Sequence, residues 1–268
     1  MRRLVLVLWL GGSAAAEAGP WPAGQGHFYA KVGGSRLSST TLAAPDGTRF
    51  EIPRFTKDEI SLYGAVGLTN RITGIVSVPA YRSSDLDDFG SESGIGDVQA
   101  GIQVQLGQRG PWVFAVRGMA QAPTGDETRA EGLLPTGSGV WEGEAVLGAG
   151  RSFAKGKIYG FVESGHQLRG GGLNDALTYA LQIGWNVRPR VVLAGNIRGV
   201  EPYSNKAPRE ARGSPVGLSD RVTYLIYGPT LILGLGNGAA LQVDVDGAAR
   251  ARNLADGTTV RVGVSFSR

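Results

Sequence analysis

The segment from Ile95 to Leu106 reads IGDVQAGIQVQL, and the segment from Trp112 to Gln121 reads WVFAVRGMAQ. In the first, Val98, Ala100, Ile102, Val104 and Leu106 alternate with Asp97, Gln99, Gly101, Gln103 and Gln105, a strict period of two. The second repeats this, with Trp112, Phe114, Val116, Gly118 and Ala120 on one side and Arg117, Met119 and Gln121 on the other. Gly107 to Pro111, rich in turn formers, separates them. A two-faced hairpin of this length must cover its aliphatic face, either against a second sheet or with lipid.

Working outward, ten further stretches alternate in the same way, giving about twelve strands in the whole chain. Leu177, Tyr179, Leu181, Ile183, Trp185 and Val187 interleave with Thr178, Ala180, Gln182, Gly184 and Asn186; Val260, Val262, Val264 and Phe266 interleave with Arg261, Gly263 and Ser265. Most stretches approach the 9 to 11 residues that a tilted strand needs to cross a bilayer. Every second connection is a tight turn: Thr69-Asn70, Gly107 to Pro111, Ser152 to Gly156, Arg188-Pro189 and Gly234 to Gly238. The others are polar and mostly longer: Ser35 to Asp58, Arg82 to Gly94, Ala122 to Val140, Arg169 to Ala176, Glu201 to Ser219, and Arg250 to Asp256. A soluble sandwich has no reason to gather its long loops at one end. A transmembrane barrel does, with short turns in the periplasm and long loops outside. The reading is an all-β, antiparallel up-and-down barrel in the outer membrane, its aliphatic faces against lipid, its termini periplasmic. Trp112, Trp185 and Phe266 fall toward the short turns and Tyr81, Trp141 and Tyr179 toward the long loops, as interfacial girdles would.

The N-terminus agrees with export. Arg2 and Arg3 precede an apolar run from Leu4 to Leu10, and small residues at Ala14 to Ala18 offer a cleavage site. Residues 1–18 are expected to be a signal peptide and 19–268 the barrel. The apolar run is short of the roughly 20 residues of a spanning helix. The chain has no Cys, which rules out a disulfide framework, a thiolate metal site and a cysteine nucleophile. Its net charge of +4 includes Arg2 and Arg3, so the mature chain is near neutral and shows no clustered basic face for nucleic acid.

Function is sought on the polar side of the strands, which in a closed barrel faces the lumen. Arg117, Glu142, Glu144, Glu163, Arg198, Asp244 and Arg261 are the candidates for lining it and meeting a solute. Lys31, Asp97 and Asp246 share that side. Charges of both signs there can pair across the interior, either filling a narrow barrel or lining a passage. Ser164 and His166 share one face of a strand, as would the nucleophile and base of an outer-membrane lipid hydrolase, but no orienting partner accompanies them. Asp85, Asp87, Asp88 and Glu92 lack a calcium-loop spacing, and Asp244 with Asp246 lacks His or Cys partners, so neither indicates a metal. No nucleotide-binding or other cofactor motif is present, and Gly170 to Gly172 and Gly234 to Gly238 read as turns.

The run Ser93-Gly94-Ile95-Gly96-Asp97-Val98, the ending Gly247-Ala248-Ala249-Arg250-Ala251-Arg252-Asn253 with Gly257-Thr258-Thr259 and Gly263-Val264-Ser265-Phe266, and Tyr227-Gly228-Pro229 resemble segments of the meta-pathway phenol-degradation family of bacterial outer-membrane proteins. The resemblance implies a barrel that takes up small hydrophobic or aromatic molecules, inserted in outer-membrane lipid by the barrel-assembly machinery. It carries over no catalytic residue. Ser267 and Arg268 follow Phe266, whereas such barrels usually end on an aromatic residue, a departure that bears on recognition by that machinery. Two other functions remain open to the residues: a closed structural or adhesion barrel working through the loops Ser35 to Asp58 and Glu201 to Ser219, and the lipid hydrolase.

Overall fold

The computed structural model describes residues 19–128, 134–204 and 221–268. The expected signal segment, residues 205–220 of the loop after Glu201, and residues 129–133 lie outside the described residues.

The described chain forms one antiparallel sheet closed on itself. Its strands are β1 (Phe28–Ala43), β2 (Arg49–Gly67), β3 (Ile72–Leu86), β4 (Gly90–Gly94), β5 (Val98–Arg109), β6 (Trp112–Ala122), β7 (Glu142–Phe153), β8 (Ile158–Arg169), β9 (Ala176–Arg188), β10 (Val191–Pro202), β11 (Thr223–Gly236), β12 (Ala239–Arg252), β13 (Leu254–Ala255) and β14 (Thr258–Ser267). Twelve of them make the wall, each bonded to its sequence neighbour, while β4 folds back on β3 and β13 on β1. Closure is by β14 on β1, in register from Tyr29 opposite Ser267 to Ser38 opposite Thr258. Beyond that ladder, Phe28 and Arg268 exchange backbone hydrogen bonds at 2.9 and 3.1 Å. Among the described residues the twelve-stranded wall has no open edge, which is the condition for a β-structure to cross hydrocarbon.

The hairpin of β5 and β6 faces as its alternation requires. Ile102, Leu106, Trp112 and Phe114 are exposed on the outside, whereas Gln103, Val113 and Ala115 are buried inside. The same pattern runs round the wall: Leu62, Leu147, Val162, Ile183, Leu193, Val245 and Val262 are exposed, and Leu147 shows 63% of its surface. That apolar belt matches a lipid surface rather than water. Near the short turns, Trp112 stacks on Phe114 with centroids 6.4 Å apart, and the Arg151 guanidinium lies over Trp112 and Phe153 at 5.4 and 4.6 Å. An aromatic and cationic girdle suits the interface on that side.

The β11–β12 turn is built from residues that tolerate left-handed backbone. Asn237 and Gly238 both have positive φ, 52° and 79°, as a two-residue hairpin turn demands. At the other end the structure departs from the expected loops. The stretch from Ser35 to Asp58 is largely ladder, because β1 and β2 continue past the membrane to a turn at Ala44 to Thr48. Its outward residues are polar there, with Arg36 Nε 2.7 Å from Asp58 Oδ1, so the aliphatic alternation that marks a strand is missing. Arg82 to Gly94 is likewise the tip of β3 and the return of β4, with Asp85 opposite Ser91 and Ser84 opposite Glu92. Backbone pairing and a small inner apolar cluster that includes Phe55 and Leu86 hold these extensions.

Candidate functional site

Strand alternation sends Arg117 (β6), Glu142 and Glu144 (β7), Glu163 (β8), Arg198 (β10), Asp244 (β12) and Arg261 (β14) to the interior, and interactions within the wall sort them into groups. Arg117 donates from both terminal nitrogens to Glu163, at 3.0 and 2.9 Å, a fork that spans β7. Glu163 shares its face with Tyr159 and Phe161, and all three point inward. Glu142 accepts from Gln167 Nε2 at 2.8 Å and Arg169 Nε at 3.2 Å near the outer end. Glu144 accepts from the Thr178 hydroxyl.

A second group lies across β9 to β14. Gln182 donates to Asn196, Asn196 Nδ2 donates to Thr230 Oγ1 at 2.8 Å, and the Thr230 hydroxyl donates to Asp244. Gln242 Nε2 adds bonds to both oxygens of Asp244, at 3.1 and 3.0 Å. One residue further along the inner face, Asp246 accepts from both Arg198 and Arg261. Asp246 is buried at 5% exposure, while the two guanidinium side chains are 44% and 32% exposed. Against this wall lies a cavity of about 350 Å³, lined also by Lys31, Tyr63, Phe161, Ala180 and Ile232. Of the seven residues expected to line the lumen, four meet at this cavity: Glu163, Arg198, Asp244 and Arg261. Glu142 and Glu144 do not line it.

Two inward-folded pieces bound the lumen, and alternation gave no sign of either. From the short-turn side, residues 19–24 enter as a strap. Ala23 N donates to Thr73 Oγ1 of β3 at 3.0 Å, and Gln103 Nε2 of β5 donates to Trp21 O at 3.2 Å. The Trp21 ring meets Tyr159 and Phe161 of β8 edge-on, with centroids 6.1 and 6.2 Å away. Pro20 is fully buried. Gly150 on the inner face of β7 gives the strap its room, since a Cβ there would lie 2.7 Å from Pro20 and from Trp21. Inward glycines at Gly148 and Gly150, with a Gly-Pro-Trp-Pro run at Gly19 to Pro22, are the sequence signal of that fit.

From the long-loop side, residues 123–128 and 134–141 of the β6–β7 connection fold inward and Asp97 anchors them. Its carboxylate accepts from Gly125 N at 3.0 Å and Ser138 N at 2.6 Å, and Gln121 Nε2 approaches it at 3.4 Å. Arg82, paired to Glu59 at 2.7 Å, donates from Nη1 to Thr136 O at 2.7 Å. Leu134 is thereby buried against Phe55, Leu86 and Ala255. A Cβ on Gly94 would sit 3.2 Å from Thr136 Oγ1, and one on Gly96 2.7 Å from Pro79. The Ser93 to Val98 run is thus a socket for the inward loop.

Ser164 and His166 face outward, exposed, opposite Leu147 and Ala145 of β7. His166 stacks on Tyr203 at 5.4 Å, 26° from parallel. Asp87 and Asp88 occupy the β3–β4 turn, and no group of three or more metal-ligating side chains occurs among the described residues.

No family model matches this sequence, and no curated protein resembles it closely. Its fold has clear likenesses. The COG4313 outer membrane channel from Pseudomonas putida F1 superposes with a TM-score of 0.73 at 14% identity, over 93% of this chain and 98% of that one. The NanC porin gives 0.55 at 11% identity, and a KdgM porin 0.54 at 8%, each over 88% of this chain and 98% of the other. At such identities the likeness is one of fold: the chain has the architecture of outer-membrane channels and porins.

Proposed function

We propose that this chain is exported through a signal peptide in residues 1–18 and serves in the outer membrane as a passive channel for a small hydrophobic or aromatic molecule. The observation that carries this is the cavity, lined by charged and apolar side chains together, inside a wall whose outer face is an aliphatic belt. Lumen charges face a wet interior and avoid hydrocarbon, and Tyr63, Phe161 and Ile232 beside them offer apolar surface to a ring. Glu163, Arg198, Asp244 and Arg261 meet the solute there. Arg117 holds Glu163, while Glu142 and Glu144 shape the wall above. Outer-membrane lipid surrounds the belt, and the barrel-assembly machinery inserts the chain. The fold likenesses to channels and porins support passive transport.

The strap and the inward loop favour a second reading, a closed barrel that works through its outer loops. Planar-bilayer recording separates the two. A channel shows discrete conductance whose ion selectivity changes when Arg198 or Arg261 is reversed to Glu; a closed barrel is silent before and after.

A further inference from the structure

We infer that the Arg198–Arg261 face of the lumen is a binding site for an organic carboxylate, so that the solute is a small aromatic or aliphatic acid. The inference rests on the channel reading and adds the chemistry of the solute's head group.

The argument begins with where the charges sit. Asp246 lies against the wall, while the guanidinium groups bonded to it reach into the cavity. Both arginines bond the same Asp246 oxygen, Oδ2, Arg198 through Nη2 and Arg261 through Nη1. Each guanidinium has five N–H donors in a fixed fork, so most of them remain for another acceptor. A solute therefore meets donors and positive charge, with the compensating carboxylate behind them. With Glu163 balanced by Arg117, the cavity sets Lys31, Arg198 and Arg261 against Asp244 and Asp246, one positive charge in excess.

The neighbouring acids are otherwise committed. Glu163 is taken by the Arg117 fork. Asp244 is held by Thr230 and by the Gln242 amide, at the end of the chain of bonds from Gln182. Those bonds to side-chain hydroxyl and amide donors leave the arginine donors unspent. Planar carboxylates match the guanidinium fork better than hydroxyls do, because they accept two parallel bonds. Tyr63, Phe161 and Ile232 on the remaining cavity wall would take the apolar body. Charged head, ring and volume together fit a single-ring or short-chain monocarboxylate.

The test uses the full-length protein in planar bilayers, with benzoate as probe and benzyl alcohol as its neutral counterpart. Benzoate is expected to interrupt the channel current in a saturable way, and benzyl alcohol to leave it unaffected at tenfold higher concentration. Arg198→Gln and Arg261→Gln should each weaken the benzoate effect about tenfold or more. Asp246→Asn, which frees both arginines, should strengthen it. Arg36→Gln, an outward-facing change remote from the cavity, should leave it alone. Equal response to benzoate and benzyl alcohol, or full benzoate sensitivity in both arginine variants with conductance intact, would overturn the carboxylate site while leaving the channel standing. Absence of conductance in the wild-type protein would overturn the channel, and this inference with it.

Discussion

Arg117 and Glu163 show what a single pair contributes inside such a wall. Glu163 is 7% exposed, and both fork bonds end on it. Arg117→Met removes the donors and leaves a buried carboxylate beside Phe161. Water in the lumen recovers part of the loss, and the variant should be less stable by about 1–3 kcal/mol, the cost of an unsatisfied buried group. Urea unfolding in lipid vesicles, followed by tryptophan fluorescence, measures it. Arg117→Met with Glu163→Gln should lose less than the two single changes together, since no charge is then stranded. Leu147 and Glu144 provide a contrast on one strand, three residues apart on opposite faces. Leu147→Arg places a charge in lipid and should cost roughly 2–4 kcal/mol near the midplane. Glu144→Gln, which keeps an acceptor for Thr178, should cost far less in the same assay.

At the scale of elements, the strap and the inward loop decide how wide the lumen is. Gly150→Val would press a side chain into the space of Pro20 and Trp21 and expel the strap, so single-channel conductance should rise above wild type. An unchanged conductance would show that the strap does not narrow the path. Asp97→Ala removes the acceptor shared by Gly125 N and Ser138 N, and the β6–β7 loop should become cleavable by added protease in intact cells. Beyond the Tyr81 girdle, burial pushes the Lys57 ammonium down to about 8, aided by Arg82 nearby and opposed by Glu59. The lysine is therefore charged below that pH and neutral above it. Anion preference of the current should fall as pH rises through about 8, and Lys57→Met should remove that step.

For the whole molecule, closure is the property that sets stability. Twelve strands bonded in a ring unfold together, because opening any ladder exposes backbone polar groups to hydrocarbon. The folded barrel should resist detergent at room temperature and migrate differently from the boiled chain on a gel, in the outer-membrane fraction. A protein that is soluble, with no shift on boiling, would place the aliphatic faces against each other and end the channel reading.

What the sequence determined was the wall. Alternation in stretches such as Val98 to Leu106 identified twelve strands and told inside from outside residue by residue, since lipid and lumen impose opposite polarity on successive side chains. It failed where that contrast vanishes. Past the membrane the outer face of β1 and β2 turns polar and only the inner face is covered, by Leu134 on Phe55, so Ser35 to Asp58 looked like loop although it is paired. The interior beyond the wall was decided only in three dimensions. Trp21 reaches Tyr159 and Phe161 across more than a hundred residues, and Asp97 captures Gly125 and Ser138 from a loop with no period of its own. The two arginines on Asp246 come from strands on either side of it, so their convergence belongs to the curvature of the closed sheet. Periodicity is a local signal and reports which way a side chain points; which charges then meet is set by the ring that the strands close.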